Sequence, residues 1–569
     1  MKKVKKLLFD HKIDGYIIPK NDEHFNEYIE PSKDRLRYIS KFSGSAGFAI
    51  IFKNKNYLFV DGRYTLQADL QSGKRFDVLT LPNKYPGSII KKKYTIGFDP
   101  KLHTERGLNI LFRKTKCILK PIEQNLIDKI WKRKKTSHVK KFYKLKDKDV
   151  GQSSKKKLKV LSDILKKNKT DLLFVSASEN IAWLLNIRGE DSEYSPIPNS
   201  YLFVDQKQNT YLFCKKGKVD KYLKKNLGNN VKLIDINHLK KFILKIKNKK
   251  IYLDSLSCSI FYKSILKKNN FIIQQQDPIY FLKSIKNKTE IANIKKAHIV
   301  DGIALTKFLI WLKNNYNKRK ITEISAQEKL LQFRKKNKQF KSLSFPTISG
   351  AGPNSSIIHY KASEKSNRIL KKGDLYLVDS GGQYNFGTTD VTRTLSLDND
   401  KRKIKEIFTR VLKGHIAVSN YKLKQNSSGN KIDSEARKFL KKIKLDYPHS
   451  TGHGVGYFLN VHEGPQALSN LNKVKLKAGM VLSNEPGYYK NGEFGIRIEN
   501  LVIIKKLKSR LQFEDLTLAP IDKSLIIKKL LNKQEIKWLN NYHNKVFYKL
   551  KNHMNSIELI NLKSACSNI

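Results

Sequence analysis

Hydrophobic and polar positions repeat one arrangement twice in the first half of the chain. The first copy reads Ile13-Asp14-Gly15-Tyr16-Ile17-Ile18, a polar stretch of helical character, glycines at 44 and 47, then Ala49-Ile50-Ile51-Phe52 and Tyr57-Leu58-Phe59-Val60-Asp61. The second reads Leu172-Leu173-Phe174-Val175, a helical segment at 179–185, Gly189, then Tyr201-Leu202-Phe203-Val204 and Tyr211-Leu212-Phe213-Cys214. A β-run, a helix and a β-hairpin make the pattern of a small α/β domain. Residues 132–157, dense in lysine and containing Gly151-Gln152-Ser153-Ser154, predict a linker between the copies. From 158 to 165 the same lysines read as the solvated face of the helix that opens the second copy.

A third region begins with an amphipathic helix over 287–312, where Ile291, Ile294, Ala297, Ala304 and Phe308 recur at helical spacing. Beyond Phe345 glycines, histidines and acids gather, and short β-runs alternate with turns. From 516 onward the chain turns polar and helical, which predicts an extension that closes off or pairs the third domain. The boundaries that follow are 1–150, 151–286, 287–510 and 511–569.

Two predicted hairpins carry the chemistry. The first, Leu375–Gly382 and Thr388–Arg393 about a tip near Tyr384-Asn385, pairs position i with 769 − i and sets Asp379 opposite Asp390. The second turns at Asn491-Gly492-Glu493, a strong hairpin signal, and sets Glu485 opposite Glu499. Opposed side chains on a sheet face lie about 5 Å apart. Two carboxylates at that distance among Leu, Val and Ile are unfavourable unless protonated or neutralised. The difficulty arises twice, and a divalent cation or a pair of them resolves both.

Five of the thirteen histidines fall between His359 and His462. His453 sits in TGHGVG, whose glycines argue against a helix and let the backbone approach a site closely. His449 and His453 are therefore not the pair of a zinc-protease helix. His415 reads as a structural histidine in the last turn of a helix over 403–419. Four carboxylates and one imidazole form a mainly hard-oxygen set, favouring Mn²⁺, Co²⁺ or Fe²⁺. Two such ions about 4 Å apart generate a hydroxide from shared water near neutral pH. That is machinery for hydrolysis.

Composition adds limits. The 569 residues are 39% hydrophobic and 29% charged, which excludes a disordered or collagen-like chain. The first residues resemble a signal peptide's charged start, but Asp10, His11, Lys12 and Asp14 break the apolar run after it. No apolar stretch is long enough to span a membrane, and a cytoplasmic address is expected. Four scattered cysteines form no CxxC pair and predict reduced thiols. The net charge of +64 invites a nucleic-acid reading. Yet the lysines are spread evenly and accompany many Asn and Ile, as A/T-rich coding would produce. No nucleic-acid-reading motif is present, so no specific nucleic-acid partner is expected.

These residues resemble the signature of the pita-bread metallopeptidases, whose ligands come in the order Asp, Asp, His, Glu, Glu. The matches are Asp379 in VDSGG, Asp390 in TTDVTRT, His453 in TGHGVG, Glu485 in NEPGYY and Glu499 in GIRIEN. Outside the site, DGRYTLQA (61–68), IAWLLNIRG (181–189), LKGHIAVS (412–419) and WLNNYH (538–543) are similar to the long, three-domain Xaa-Pro aminopeptidase branch. The resemblance implies an α/β (α+β) fold: two creatinase-like N-terminal domains, a pita-bread catalytic domain and a helical C-terminal extension. It implies hydrolysis of the N-terminal Xaa-Pro bond of peptides by a hydroxide bridging two divalent ions, with Mn²⁺ the expected metal and a homodimer the expected assembly. Asp379, Asp390 and Glu499 would hold one ion; His453 and Glu485, sharing Asp390 and Glu499, the other. Glu485 is the implied proton shuttle. His359 and His462 would hydrogen-bond substrate carbonyls and the oxyanion, and His449 is a further histidine of the family's site. Arg497 would steady the carboxylates. Arg63 aligns with a substrate-touching arginine, though a structural ion pair explains it almost as well. A prolidase-type dipeptidase and a non-enzymatic peptide or nucleic-acid binder are the alternatives.

Overall fold

A computed structural model describes residues 1–133, 139–508 and 510–569. The chain divides into two compact units, Met1–Tyr280 and Phe281–Ile569.

In the first unit the repeated apolar runs become two six-stranded mixed sheets. Taking the strands of each sheet in chain order, both are arranged 4-3-2-1-5-6. One is built on Gly15–Pro19, Phe48–Phe52 and Asn56–Asp61, the other on Leu172–Val175, Tyr201–Asp205 and Thr210–Cys214. In each, the first strand pairs antiparallel with the second and parallel with the fifth. The first two strands of the first sheet are buried along their whole length, as near-continuous apolar runs require.

The predicted linker is more structured than its lysine content suggested. Residues 134–138 of it lie outside the described residues. Beyond them Tyr143–Lys144 pairs with Ile187–Arg188, and Asp147–Val150 forms one helical turn. Phe142, Leu145 and Val150, spaced among the lysines, are buried and anchor this segment. The helix Ser154–Lys167 buries Leu158, Leu161 and Leu165, with Ser153 capping its first turn. Lys157 departs from the solvated face: it is buried, donating to Trp183 O at 2.8 Å and Asn186 Oδ1 at 2.7 Å.

The second unit opens with the helix Lys288–Asn315, started by a reciprocal cap between Asn287 and Glu290. It packs with Arg402–Ser419, Lys533–Leu550 and Ser556–Cys566 against Leu375 and Ile496 of the strands and Ile498 just beyond one, in one core. The C-terminal extension thus contributes Leu539, Tyr542, Val546, Leu550 and Leu562 to that core. Arg402–Ser419 and Gly429–Lys441 approach so closely that a Cβ on Gly414 would lie 2.3 Å from Ala436 O. Among the described residues no helix is long and apolar enough to cross a membrane, and all four cysteines are free.

Two histidines of this core are neutral by construction. His415 is fully buried with Nδ1 on Asn484 O at 3.1 Å, and burial lowers its pKa to about 3. His543 Nε2 accepts from Ile521 N at 3.1 Å, and burial likewise lowers it to about 3. Folded-state values below the unfolded one near 6.5 mean full stability above that pH and loss as pH falls towards 3. At pH 5 each residue should cost about 2 kcal/mol relative to pH 7.5. Urea denaturation at the two pH values should show this loss in the wild type. The variant His415→Gln/His543→Gln should lack that part of it.

Candidate metal centre

The first hairpin departs from its predicted register. Asp379 pairs with Thr392, and the same offset continues through Gln383↔Thr388 to Tyr384↔Gly387. The tip is therefore Asn385-Phe386, and Asp379 and Asp390 are diagonal neighbours, not opposed. The offset is the same before and after Gly381, so the tip, one residue later than predicted, accounts for the whole two-residue shift; at Gly381 and Thr389-Asp390 the two ladders meet in a bend. A Cβ on Gly381 would lie 1.9 Å from Thr389 O, so only glycine allows the strands to cross there.

The second hairpin keeps its register. Asn484 pairs with Asn500 on one side, and Gly487 with Arg497 on the other. Between those ladders the strands open, aided by Pro486, which has no N–H to donate. Glu485 N instead donates to Thr451 O at 2.8 Å, and Glu499 N to Thr392 O at 3.2 Å. Thr451 lies two residues before His453, and Thr392 two after Asp390. The opened hairpin thereby stitches together the segments that carry the other candidate ligands.

The result is a convergence of donors. One donor atom each from Asp390, His453 and Glu499 lie within 4.8 Å of one another. His453 Nε2 is 3.4 Å from Asp390 Oδ2 and 3.5 Å from Glu485 Oε1, while its Nδ1 faces Gly454 O at 2.9 Å. Asp379 joins through Arg497, whose guanidinium donates to Asp379 Oδ2 at 2.7 Å. The other oxygen, Asp379 Oδ1, is buried and has no hydrogen-bond partner among the described residues.

The electrostatics match a cation site. Burial, with Asp390 adding to it against Arg497, pushes Asp379 up to about 7. Burial and the neighbouring Asp390, Asp379 and Glu485 raise Glu499 far above the carboxylate range. Burial also raises Glu485, against the pull of His453. Burial works to lower His453, yet the Asp390 hydrogen bond and the Glu485 charge outweigh it and hold the ring up to about 9. The carboxylates draw positive charge to one point. Together with the orphaned Asp379 oxygen, this fits a divalent cation held by hard oxygens and one imidazole.

His462 packs edge-on against His453, ring centroids 4.4 Å apart. His449 Nε2 lies 2.9 Å from the Tyr489 hydroxyl, which also accepts from Arg497 at 2.6 Å. His359 is half-buried and follows Ile358, whose carbonyl lies 3.5 Å from the Arg497 guanidinium. Arg63 belongs to the first unit, where Asp61 takes its guanidinium at 3.0 and 2.7 Å, an ordinary ion pair.

Three supporting residues escaped the sequence reading. Thr392 Oγ1 donates to Glu499 Oε2 at 2.7 Å and accepts from Arg497 Nε at 3.0 Å. Ser483 Oγ donates to Glu485 Oε1 at 2.9 Å and accepts from His453 N. Tyr489 links Arg497 to His449. Thr392 and Ser483 stand two residues from Asp390 and Glu485, so strand alternation could have found them.

Donors of this kind define a metal-dependent hydrolase centre, and comparison with known proteins gives the class. Residues 292–506 match the model of metallopeptidase family M24, and 509–569 that of the C-terminal region of peptidase M24. Residues 1–127 and 133–290 each match a creatinase/prolidase N-terminal domain. A probable Xaa-Pro aminopeptidase P of Laccaria bicolor is 38% identical over 95% of this chain and 88% of its own length. Xaa-Pro aminopeptidase 1 of Dictyostelium discoideum is 37% identical over 96% and 93%. The X-prolyl aminopeptidase of Caenorhabditis elegans, described as a cytosolic enzyme with a di-nuclear active site, superposes with a TM-score of 0.92. It is 31% identical, covering 98% of this chain and 95% of that one. A Pyrococcus horikoshii prolidase, at 23% identity, TM-score 0.53 and coverage of 64% of this chain and 99% of its own, shares the fold alone. The chain belongs to metallopeptidase family M24, in its Xaa-Pro aminopeptidase branch.

If the buried acids await a cation, replacing one should separate metal response from fold. Glu499→Gln keeps the shape and an acceptor for Thr392. We expect metal-free Glu499→Gln to melt at or above the wild-type temperature. Added Mn²⁺ should raise the melting temperature of the wild type by several degrees and leave the variant nearly unmoved.

Proposed function

We propose that the chain removes the N-terminal residue from peptides with proline in second position, using two divalent ions held in the site just described. The convergence of Asp390, His453 and Glu499, in a chain similar over its length to Xaa-Pro aminopeptidases, carries this reading. Asp379, Asp390 and Glu499 would hold one ion; His453 and Glu485, with Asp390 and Glu499 shared, the other. Bound there, the ions supply an activated water and polarise the scissile carbonyl.

The chain's own residues do the rest. Glu485, whose pKa burial raises, takes the proton of the attacking water and returns it to the departing proline nitrogen. His462 and His359 hydrogen-bond the substrate carbonyls and the charge that develops on the attacked oxygen. His449 contacts substrate from the Tyr489 side. Arg497 holds Asp379 in place through its 2.7 Å bond. An Xaa-Pro bond has no amide N–H and proline's φ is fixed, so the pocket must need no hydrogen bond from that nitrogen and must accept that φ. The oxygen-rich donor set favours Mn²⁺ as the working ion. A homodimer in the cytoplasm completes the reading.

Purified, Mn²⁺-loaded protein should release the first residue of an Arg-Pro-Pro peptide. Preference for Xaa-Pro dipeptides over longer Xaa-Pro-Xaa peptides would instead make it a prolidase-type enzyme. Asp390→Asn should abolish turnover while circular dichroism stays unchanged. Wild-type turnover in that variant would refute the two-metal model. His462→Ala should lower turnover by about 10²-fold or more with bound metal retained; equal loss of both would make His462 a ligand.

A further inference from the structure

His462 hangs from a loop that the second unit grips at several points, and one grip is ionic and dry. The next residue, Glu463, has a side chain 1% exposed, and each of its oxygens meets a buried ammonium group. Lys286 Nζ lies 2.8 Å from Oε1 and Lys283 Nζ 2.9 Å from Oε2, with the lysine side chains at 0% and 1% exposure. Removing three charges from water is costly; Lys286 meets the carboxylate as a hydrogen-bonded ion pair and Lys283 as an ion pair by proximity, and these contacts only offset that cost. Burial would raise the Glu463 pKa, but the two lysines hold it below the usual range, so the carboxylate stays charged. The lysines sit on a fixed segment. Lys286 N donates to Gly479 O at 3.0 Å, and the adjacent Asn287 caps the long helix.

The loop itself stores strain. Phe458, buried, has φ +47, a left-handed conformation that a bulky residue keeps only when its surroundings impose it. Asn293 Nδ2 donates to the Tyr457 hydroxyl at 3.0 Å, and Gln383 Nε2 to Leu459 O at 2.7 Å. Glu463 N closes the loop on Gly454 O at 2.8 Å. The near end is held by the helix and the first hairpin; the end carrying His462 is held by the ion cluster.

We propose that Lys283, Glu463 and Lys286 form a positioning cluster for the reaction, fixing the backbone at 462–463 so that the His462 ring stays edge-on to His453 and aimed at the substrate carbonyl. This rests on the substrate-binding role given to His462 above. Glu463 acts through His462 and is a positioning residue.

A double-mutant cycle tests it. Glu463→Asp keeps the charge but withdraws the carboxylate by one methylene. Lys286→Met leaves a neutral Lys283–Glu463 pair and serves if the first variant fails to fold. Each is made in the wild type and in His462→Ala, and assayed with the Arg-Pro-Pro peptide and by metal analysis. In the wild type, kcat should fall about tenfold or more, with KM and bound metal nearly unchanged. In His462→Ala the further loss should shrink to within about twofold, because the group being positioned is gone. The same loss in both backgrounds, loss of metal, or an unchanged kcat would overturn the proposal. An inactive, metal-loaded wild type would overturn the functional reading itself, a distinguishable failure.

Discussion

Keeping four carboxylates together away from water is the constraint on which the second unit depends. Burial raises the pKa of Asp379, Glu485 and Glu499, and the neighbouring acids raise it further. Nothing in their mutual electrostatics would assemble them. The backbone does it: the opened hairpin donates Glu485 N to Thr451 O and Glu499 N to Thr392 O. Amide hydrogen bonds do not care about the charge of the side chains they carry. The fold can therefore hold the acids in place and leave their neutralisation to a cation.

Around the acids, each supporting group answers one part of the same problem. Arg497 places a fixed positive charge on Asp379 and donates to Thr392 and Tyr489. Thr392 relays that order to Glu499, and Ser483 ties Glu485 to the His453 backbone, neither adding charge. His453 takes its place from Ser483 and Gly454, which leaves Nε2 turned towards Asp390 and Glu485. The same logic extends to His462 through the buried lysine–glutamate cluster.

The lysine loading, the most conspicuous feature of the composition, has two structural faces. Most of it lies on solvated surfaces, as on the helix Ser154–Lys167. A few lysines lie inside, each with a defined partner: Lys157 on Trp183 and Asn186, Lys283 and Lys286 on Glu463, Lys20 on Asp34. A buried ammonium without such a partner would give up its charge or unfold its surroundings. Charge count alone could not separate these two populations.

Local pattern was enough for much of the architecture and for the identity of the candidate ligands. Apolar runs of period and length suited to strands marked both sheets of the first unit, and the Asn-Gly turn placed Glu485 across from Glu499 because a tight turn sets register directly. The helix from Asn287 announced itself by its apolar stripe. The tip of the first hairpin was invisible, since no Asn-Gly or similar turn signal pins it, and its place one residue later moved Asp379 two positions from its predicted partner. The order hidden among the lysines of 139–157 and the ion cluster behind His462 were equally out of reach. Contacts between residues near in sequence follow from spacing, whereas Lys286 meets Glu463 across 177 positions only after the whole unit has packed.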